Sequence, residues 1–196
     1  CSQTRPAPSN RMMSMSCTST RLPVGGLNGD FFVLATKRPS GNLFIHAGRS
    51  FLGDTRRAAV TFAADGSVDV IPGRSLAATL LARGVTEAMS GKPAYVVNRR
   101  AGDLSLLEGV QRTGAIHRAA VGRLTNGNTA LVVVGGAGLT GRQFSTTLIR
   151  LGFDEALGMD LNSSANLNWR GRSLNRPGAQ RSIPTGLNSE GQLGCF

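Results

Sequence analysis

The run Gly136-Ala137-Gly138-Leu139-Thr140-Gly141 sets three glycines at the spacing G-x-G-x-x-G, and an acid, Asp160, closes the next apolar stretch. Between a strand and a helix, such glycines let backbone N–H groups and a helix N-terminus face a pyrophosphate, while the acid bonds a ribose hydroxyl. This pattern points to a dinucleotide. His117 is a second candidate, because an imidazole titrates in the range where proton transfer is useful, although a lone strand histidine is more often structural. His46 is a weaker candidate of the same kind. Metal chemistry finds no support, since no C-x-x-C or comparable ligand spacing is present and a structural zinc site is excluded.

The elements that must position these residues read mainly as strands and tight turns. Residues 31–36 and 43–47 flank Pro39-Ser40-Gly41-Asn42 and predict a hairpin; residues 58–63 and 67–71 flank Ala64-Asp65-Gly66 and predict another. Residues 75–82 read as a helix with Ala77, Leu80 and Leu81 on one side and Gly84 as its stop. Residues 94–98 and 116–124 are strands. Asn126-Gly127 then turns the chain into residues 129–134, whose unbroken apolar run predicts a central strand covered on both faces. Thr140 is the expected N-cap of the clearest helix, with Phe144, Leu148 and Leu151 on its apolar stripe and Gly152 at its end. Residues 156–159 form a short buried strand running into Asp160.

Hairpins dominate and helices are few. The expected fold is α+β, a single domain with a mixed, largely antiparallel sheet and a few helices packed on it. This organisation weighs against a dinucleotide fold, because a doubly wound sheet needs further βαβ units and the chain beyond Asp160 is rich in Asn, Ser, Arg and Pro.

With 196 residues the chain suits one domain over residues 21–196, preceded by a polar, Pro-containing tether over residues 1–20. Its apolar fraction is 40% but aromatics are 5%, so the core must rest on Ala, Val, Leu and Ile, and the 26 glycines point to many tight turns. The net charge of +11 suggests an anionic partner. The basic residues are scattered and lack an aromatic platform, which argues against nucleic acid and suits sugars or phosphoesters. A chain opening on Cys1 and a flexible tether resembles a bacterial lipoprotein after leader removal, with the lipid on Cys1 as its membrane anchor. Cys17 and Cys195 then form an even pair whose disulfide, in an oxidising compartment, is worth roughly 3–5 kcal/mol in the chain-entropy model. The expected location is therefore exported, periplasmic or extracellular. The oligomeric state has no signature in the sequence.

A longer pattern accounts for more of the chain. From Ile116-His117-Arg118-Ala119-Ala120-Val121-Gly122 it runs through the Asn-Gly hairpin to Leu131-Val132-Val133-Val134-Gly135, then Gly138-Leu139-Thr140, the helix, and Ala156-Leu157-Gly158-Met159-Asp160. This order resembles the phosphodiester glycosidase family, with its R-T-A-I-G-like strand, G-L-T helix and A-L-N-L-D-G-G-x-S strand-loop. Asn28-Gly29-Asp30-Phe31-Phe32 resembles that family's early N-G-x-F-F segment, and residues 176–184 its late R-x-V/I-x-N segment.

The resemblance implies hydrolysis of a glycosidic bond whose leaving group is a phosphate ester. It needs no cofactor. Positive charge develops at the sugar carbon and negative charge on the phosphate, which calls for a carboxylate and a cation. By position, Asp160 becomes the carboxylate and Arg118 the phosphate or sugar clamp. Asn28, Ser164, Arg181 and His117 become substrate ligands. Two departures stand out: Leu161-Asn162 replaces the two glycines after the Asp, and Asp30 occupies a position that is usually small. Leu opposes the positive φ and close approach that Gly permits, whereas Asn tolerates a left-handed backbone. A changed loop leaves open a non-catalytic alternative, a binder of glycan or phosphopolymer in an envelope assembly. Dinucleotide binding through residues 136–141 stands third.

Overall fold

The computed structural model describes residues 25–33, 35, 38–63, 67–170, 172–175, 186–188 and 193–194. Its first half contains β1 (Gly25–Asn28), β2 (Phe32–Val33), β3 (Arg38–Pro39), β4 (Phe44–His46), β5 (Arg49–Leu52), β6 (Ala59–Phe62), β7 (Val68–Ile71), α1 (Ala77–Ala82), β8 (Glu87–Ser90) and β9 (Ala94–Val97). There follow β10 (Arg100–Ala101), α2 (Val110–Thr113), β11 (Ile116–Leu124), β12 (Thr129–Leu139), α3 (Gly141–Arg150) and β13 (Phe153–Gly158). A 3-10 turn over Asn162–Ser164 leads to β14 (Leu167–Trp169), β15 (Arg172–Ser173), β16 (Gly186–Asn188) and β17 (Leu193–Gly194).

Every described strand pairing is antiparallel. The strands form three sheets of five, ordered β5-β4-β8-β6-β7, β10-β9-β13-β11-β12 and β15-β14-β1-β16-β17, and a β2-β3 ribbon. The first two sheets pack face to face. Phe44, Val60, Phe62 and Met89 from one meet Ala119, Val121, Leu157 and Met159 from the other. On the outer face of the first sheet, Ala77 and Leu80 of α1 cover Leu43, Ile45, Ala59 and Ala88. On the outer face of the second, Phe144 and Leu148 of α3 cover Tyr95, Val96, Ala120 and Ala156. The result is four layers, helix–sheet–sheet–helix. With both faces of each sheet covered, β6 and β8 are buried at every position, which removes the half-polar alternation of an exposed sheet.

In place of the expected single sheet with helices on it, the described residues form two stacked five-stranded sheets and a third beside them, mostly β, with short helices. The β6–β7 and β11–β12 hairpins form as the sequence predicts, the latter with Gly127 at φ 86°. The turn of the first hairpin, residues 64–66, lies outside the described residues. The expected pairing across residues 39–42 does not form. Phe32–Val33 pairs instead with Arg38–Pro39, and Phe44–His46 turns through Ala47 and Gly48, both at positive φ, onto Arg49–Leu52. Asn42, at φ 63°, redirects the chain from the ribbon into the sheet.

The strand β12 lies at a sheet edge rather than in the centre. Its apolar run is still explained by cover on both sides: Leu131 and Val133 pack on the inter-sheet core, and Ala130, Val132 and Val134 on the helix side. In α3 the Thr140 side chain accepts from the Gln143 N–H at 3.2 Å while the Gln143 side chain accepts from the Thr140 N–H at 2.9 Å. This is a complete capping box, worth about 1 kcal/mol. Leu151 is 55% exposed, so the apolar stripe ends one turn earlier than its spacing suggests.

Candidate active site

The central strand β13 ends where its partner changes. Gly158 still exchanges backbone hydrogen bonds with the segment before β9, donating to Pro93 O at 2.8 Å and accepting from Lys92 N at 3.0 Å. The next outward-pointing amide, that of Asp160, instead donates to Gly29 O at 2.9 Å. The loop after β1 thus takes over the edge of β13. Asn28 fixes this junction: it is 2% exposed, its Nδ2 donates to Asp160 O at 2.9 Å, and its Oδ1 accepts from Asn166 N at 3.0 Å. The side chain expected to touch substrate is engaged with backbone. Its effect is to clamp the two acid-bearing segments together.

Two buried carboxyl groups border the clamp, near enough for the charge of one to act on the other. Asp160 is 7% exposed, and one of its oxygens accepts from Leu161 N at 2.8 Å. Asp30 is 3% exposed; it accepts from Ser90 Oγ at 2.6 Å and from Phe31 N at 2.7 Å. Burial raises the Asp30 carboxyl from 3.8 to about 6, against the opposing pull of the Ser90 hydroxyl, Arg57 and the Phe31 N–H, with the Asp160 charge adding to the rise. The chain packs tightly here. A Cβ built on Gly41 falls 2.0 Å from both Asp30 Oδ2 and Ser90 Oγ, so only glycine fits against the pair.

Cations border the acids. Arg57 Nη1 lies 3.9 Å from Asp30 Oδ1 and donates to Ser40 Oγ at 3.0 Å. Lys92 Nζ sits 4.9 Å from the centre of the Phe31 ring, a cation–π contact. Burial and then the Arg57 charge hold the Lys92 ammonium below its ordinary pKa, while Glu108, Asp30 and Asp160 oppose them. A cleft of about 280 Å³ opens beyond Arg57, lined also by Gly41, Asp54, Arg56 and Arg74.

The remaining sequence candidates fall into different surroundings. Arg118 sits across the ladder from Asp160, one step beyond the Met159 N to Ala119 O bond of 2.9 Å. Its guanidinium, however, is 0% exposed and donates to Leu139 O at 2.5 Å, Tyr95 Oη at 2.8 Å, Gln111 O at 2.8 Å and Gly114 O at 3.1 Å. These bonds take four of the five guanidinium N–H groups and tie β11 to β9, α2 and the end of β12, so the residue expected as a clamp is held as a buried structural tie. His117 Nε2 lies 3.0 Å from Gly136 O, and its Nδ1 is buried with no hydrogen-bond partner among the described residues. Ser164 is 1% exposed in the turn after Asp160, and its N–H donates to Leu161 O at 3.1 Å. Arg181, Cys1, Cys17 and Cys195 lie outside the described residues, as does the expected tether over residues 1–20.

The departure at residues 161–162 resolves in geometric terms. Leu161 is extended, with φ −111°, and turns its side chain into the helix-side core. Asn162 takes the left-handed conformation, with φ 58°. The loop thus keeps a left-handed step without glycine, and the leucine packs inward.

The G-x-G-x-x-G run does not sit in a dinucleotide setting. Gly136 and Gly138 are left-handed residues of a bulge in β12, where Ile116 pairs with Leu139 but Arg118 with Val134. The strands β12 and β13 run parallel to one another with antiparallel β11 between them, and the Thr140–Gln143 box occupies the start of α3. No mononucleotide-binding unit results.

Sequence reasoning missed Asp30, Ser90, Arg57 and Lys92 as a group. The only signal was Asp30 itself, a charge at a position expected to be small.

The profile of one protein family, described as phosphodiester glycosidase, matches residues 23–188. The sequence matches none of the curated proteins compared with it. Among solved structures, the fold is similar to zebrafish N-acetylglucosamine-1-phosphodiester α-N-acetylglucosaminidase, a catalytic domain auto-inhibited by its pro-peptide, with TM-score 0.69, 18% identity and coverage of 84% of this chain and 62% of that one. It is also similar to a hypothetical protein from Synechocystis, with TM-score 0.52, 17% identity and coverage of 79% of this chain and 49% of that one. The chain thus spans less than two thirds of each.

Proposed function

The chain belongs to the phosphodiester glycosidase family, and from that premise we propose that it hydrolyses a glycosidic bond whose leaving group is a phosphate ester. Asp160 is the carboxylate that faces the positive charge developing at the sugar carbon. Asp30, held behind it, takes up and returns a proton near neutrality because its pKa is raised to about 6. In the reaction the bond from the sugar carbon to the phosphate oxygen breaks and a bond to water oxygen forms. The water proton passes to the carboxylates, and the phosphate ester leaves as an anion. The natural substrate is a sugar-phosphate diester or a glycan polymer carrying one, in the cell envelope or outside the cell.

The observation that carries the reading is the Asn28 clamp, which joins the N-G-x-F-F segment to the strand-loop bearing Asp160 at 2.9 Å. Two short motifs far apart in sequence build one acidic centre. The test is sugar release from a panel of α-linked sugar phosphodiesters by the intact protein and by Asp160→Ala. Release that is lost in the variant supports the reading; no release by intact protein, or equal release by both, overturns it.

The burial of both acids favours a second reading, glycan or phosphopolymer binding without turnover. Tight polymer binding that persists in Asp160→Ala, with no product formed, selects it.

A further inference from the structure

We propose that the cleft walled by Arg56, Arg57 and Arg74 is an oxyanion pocket that takes the phosphate group of the ligand. The assignment of that phosphate to a sugar phosphodiester rests on the glycosidase reading; the pocket itself does not.

The cleft encloses about 280 Å³ and is lined by three arginines and one acid, Asp54. That acid is partly engaged, since its Oδ1 accepts from the Ala77 N–H at 3.0 Å at the start of α1. The balance of charge facing the cleft is therefore positive, and a concave cationic wall favours an anion over a neutral sugar. The arginines are assembled by backbone rather than by chance exposure. Thr55 and Ser75 exchange N–H···O bonds of 3.0 Å in both directions, which sets Arg56 and Arg57 beside Arg74. The Thr55 hydroxyl also accepts from Arg57 N at 3.0 Å. Arg57 is oriented twice more, by Ser40 Oγ and by Asp30, so one guanidinium is shared between pocket and acidic centre. Gly41 lines the same wall and presses against Asp30 and Ser90.

This geometry has a chemical consequence. A phosphodiester carries one negative charge, and the phosphate monoester that departs carries close to two at neutral pH. A wall of three guanidinium groups gains attraction as the bond breaks, so its effect falls more on the transition state than on ground-state binding.

The experiment is titration with inorganic phosphate, read by calorimetry and by phosphorus NMR line width, on the full chain, on R56Q/R74Q, and on a control R100Q/R150Q of equal charge. The expected result is millimolar binding that weakens at least tenfold in R56Q/R74Q and is unchanged in the control. Equal loss in both variants, or no loss in R56Q/R74Q, overturns the pocket. Turnover separates this from the preceding proposal. If phosphate binds through Arg56 and Arg74 but no sugar phosphodiester is cleaved, the pocket stands and the hydrolase falls. If cleavage occurs with kcat/KM unaltered in R56Q/R74Q, the hydrolase stands and the assignment of the pocket to the phosphate of its substrate falls.

Discussion

The side-chain amide of Asn28 donates to the backbone carbonyl of Asp160 at 2.9 Å across a separation of 132 residues. The same amide accepts from Asn166 N at 3.0 Å, so one buried side chain orders both sides of the acidic loop. Asn28→Ala takes a hydrogen-bond partner from the Asp160 carbonyl and another from the Asn166 N–H. It is expected to cost about 2–4 kcal/mol in urea unfolding and to lower turnover through misplacement of Asp160. A variant of parental stability would refute the clamp.

Asp160→Asn keeps an oxygen for the Leu161 N–H, removes the charge and turns the second oxygen into an N–H donor. If the carboxylate offsets positive charge at the sugar carbon, turnover should fall at least about 100-fold with little change in Tm. Kinetics on a sugar phosphodiester with a chromogenic leaving group would measure this.

Asp30 gives a signed pH dependence. Its folded-state pKa, about 6, exceeds the ordinary value of 3.8, so the native state holds the extra proton between those values. Stability is greatest below this window and declines as pH rises through it, by on the order of 3 kcal/mol in total. Asp30→Asn should flatten that decline and be more stable than the parent at neutral pH. Parallel urea midpoints for the two proteins across the window would sink this account.

Arg118 makes a contrasting prediction. Its four hydrogen bonds described above all go to neutral acceptors in a fully buried setting. Arg118→Met should therefore lower stability by roughly 3–5 kcal/mol, because it strands the Tyr95 hydroxyl and three carbonyls. A variant that melts like the parent but has lost activity would instead return Arg118 to the site.

Gly41→Ala should be costly although the residue is small. The added methyl overlaps Asp30 Oδ2 and Ser90 Oγ at 2.0 Å, and the pair must separate to admit it. A loss of about 2 kcal/mol or more is expected, together with a changed pH profile of stability, since the Ser90 hydroxyl no longer holds the Asp30 carboxylate.

How much of this was legible beforehand depends on how local each signal is. Asp160 announced itself as an acid ending an apolar strand, and Thr140 as a cap, because both are read from adjacent residues. The two-sheet stack was not legible: a hairpin buried on both faces has the same turn signals as one buried on a single face. The strand β1 went unread because GGLN has neither β-branched residues nor apolar alternation to mark it. Arg118 was visible as a residue but not in its role, which depends on carbonyls at Gln111, Gly114 and Leu139 converging on it. Asp30 reads as a loop charge until Ser90, sixty residues on, closes over it.

Leu161 and Asn162 bear on how kin of this protein are found. The step after Asp160 is set by one extended and one left-handed backbone, and in this chain an apolar branch plus an amide satisfy it without glycine. Searches keyed to paired glycines behind the acid will pass over chains of this kind. A pattern that accepts any L-residue first, and glycine or asparagine second, will retrieve them.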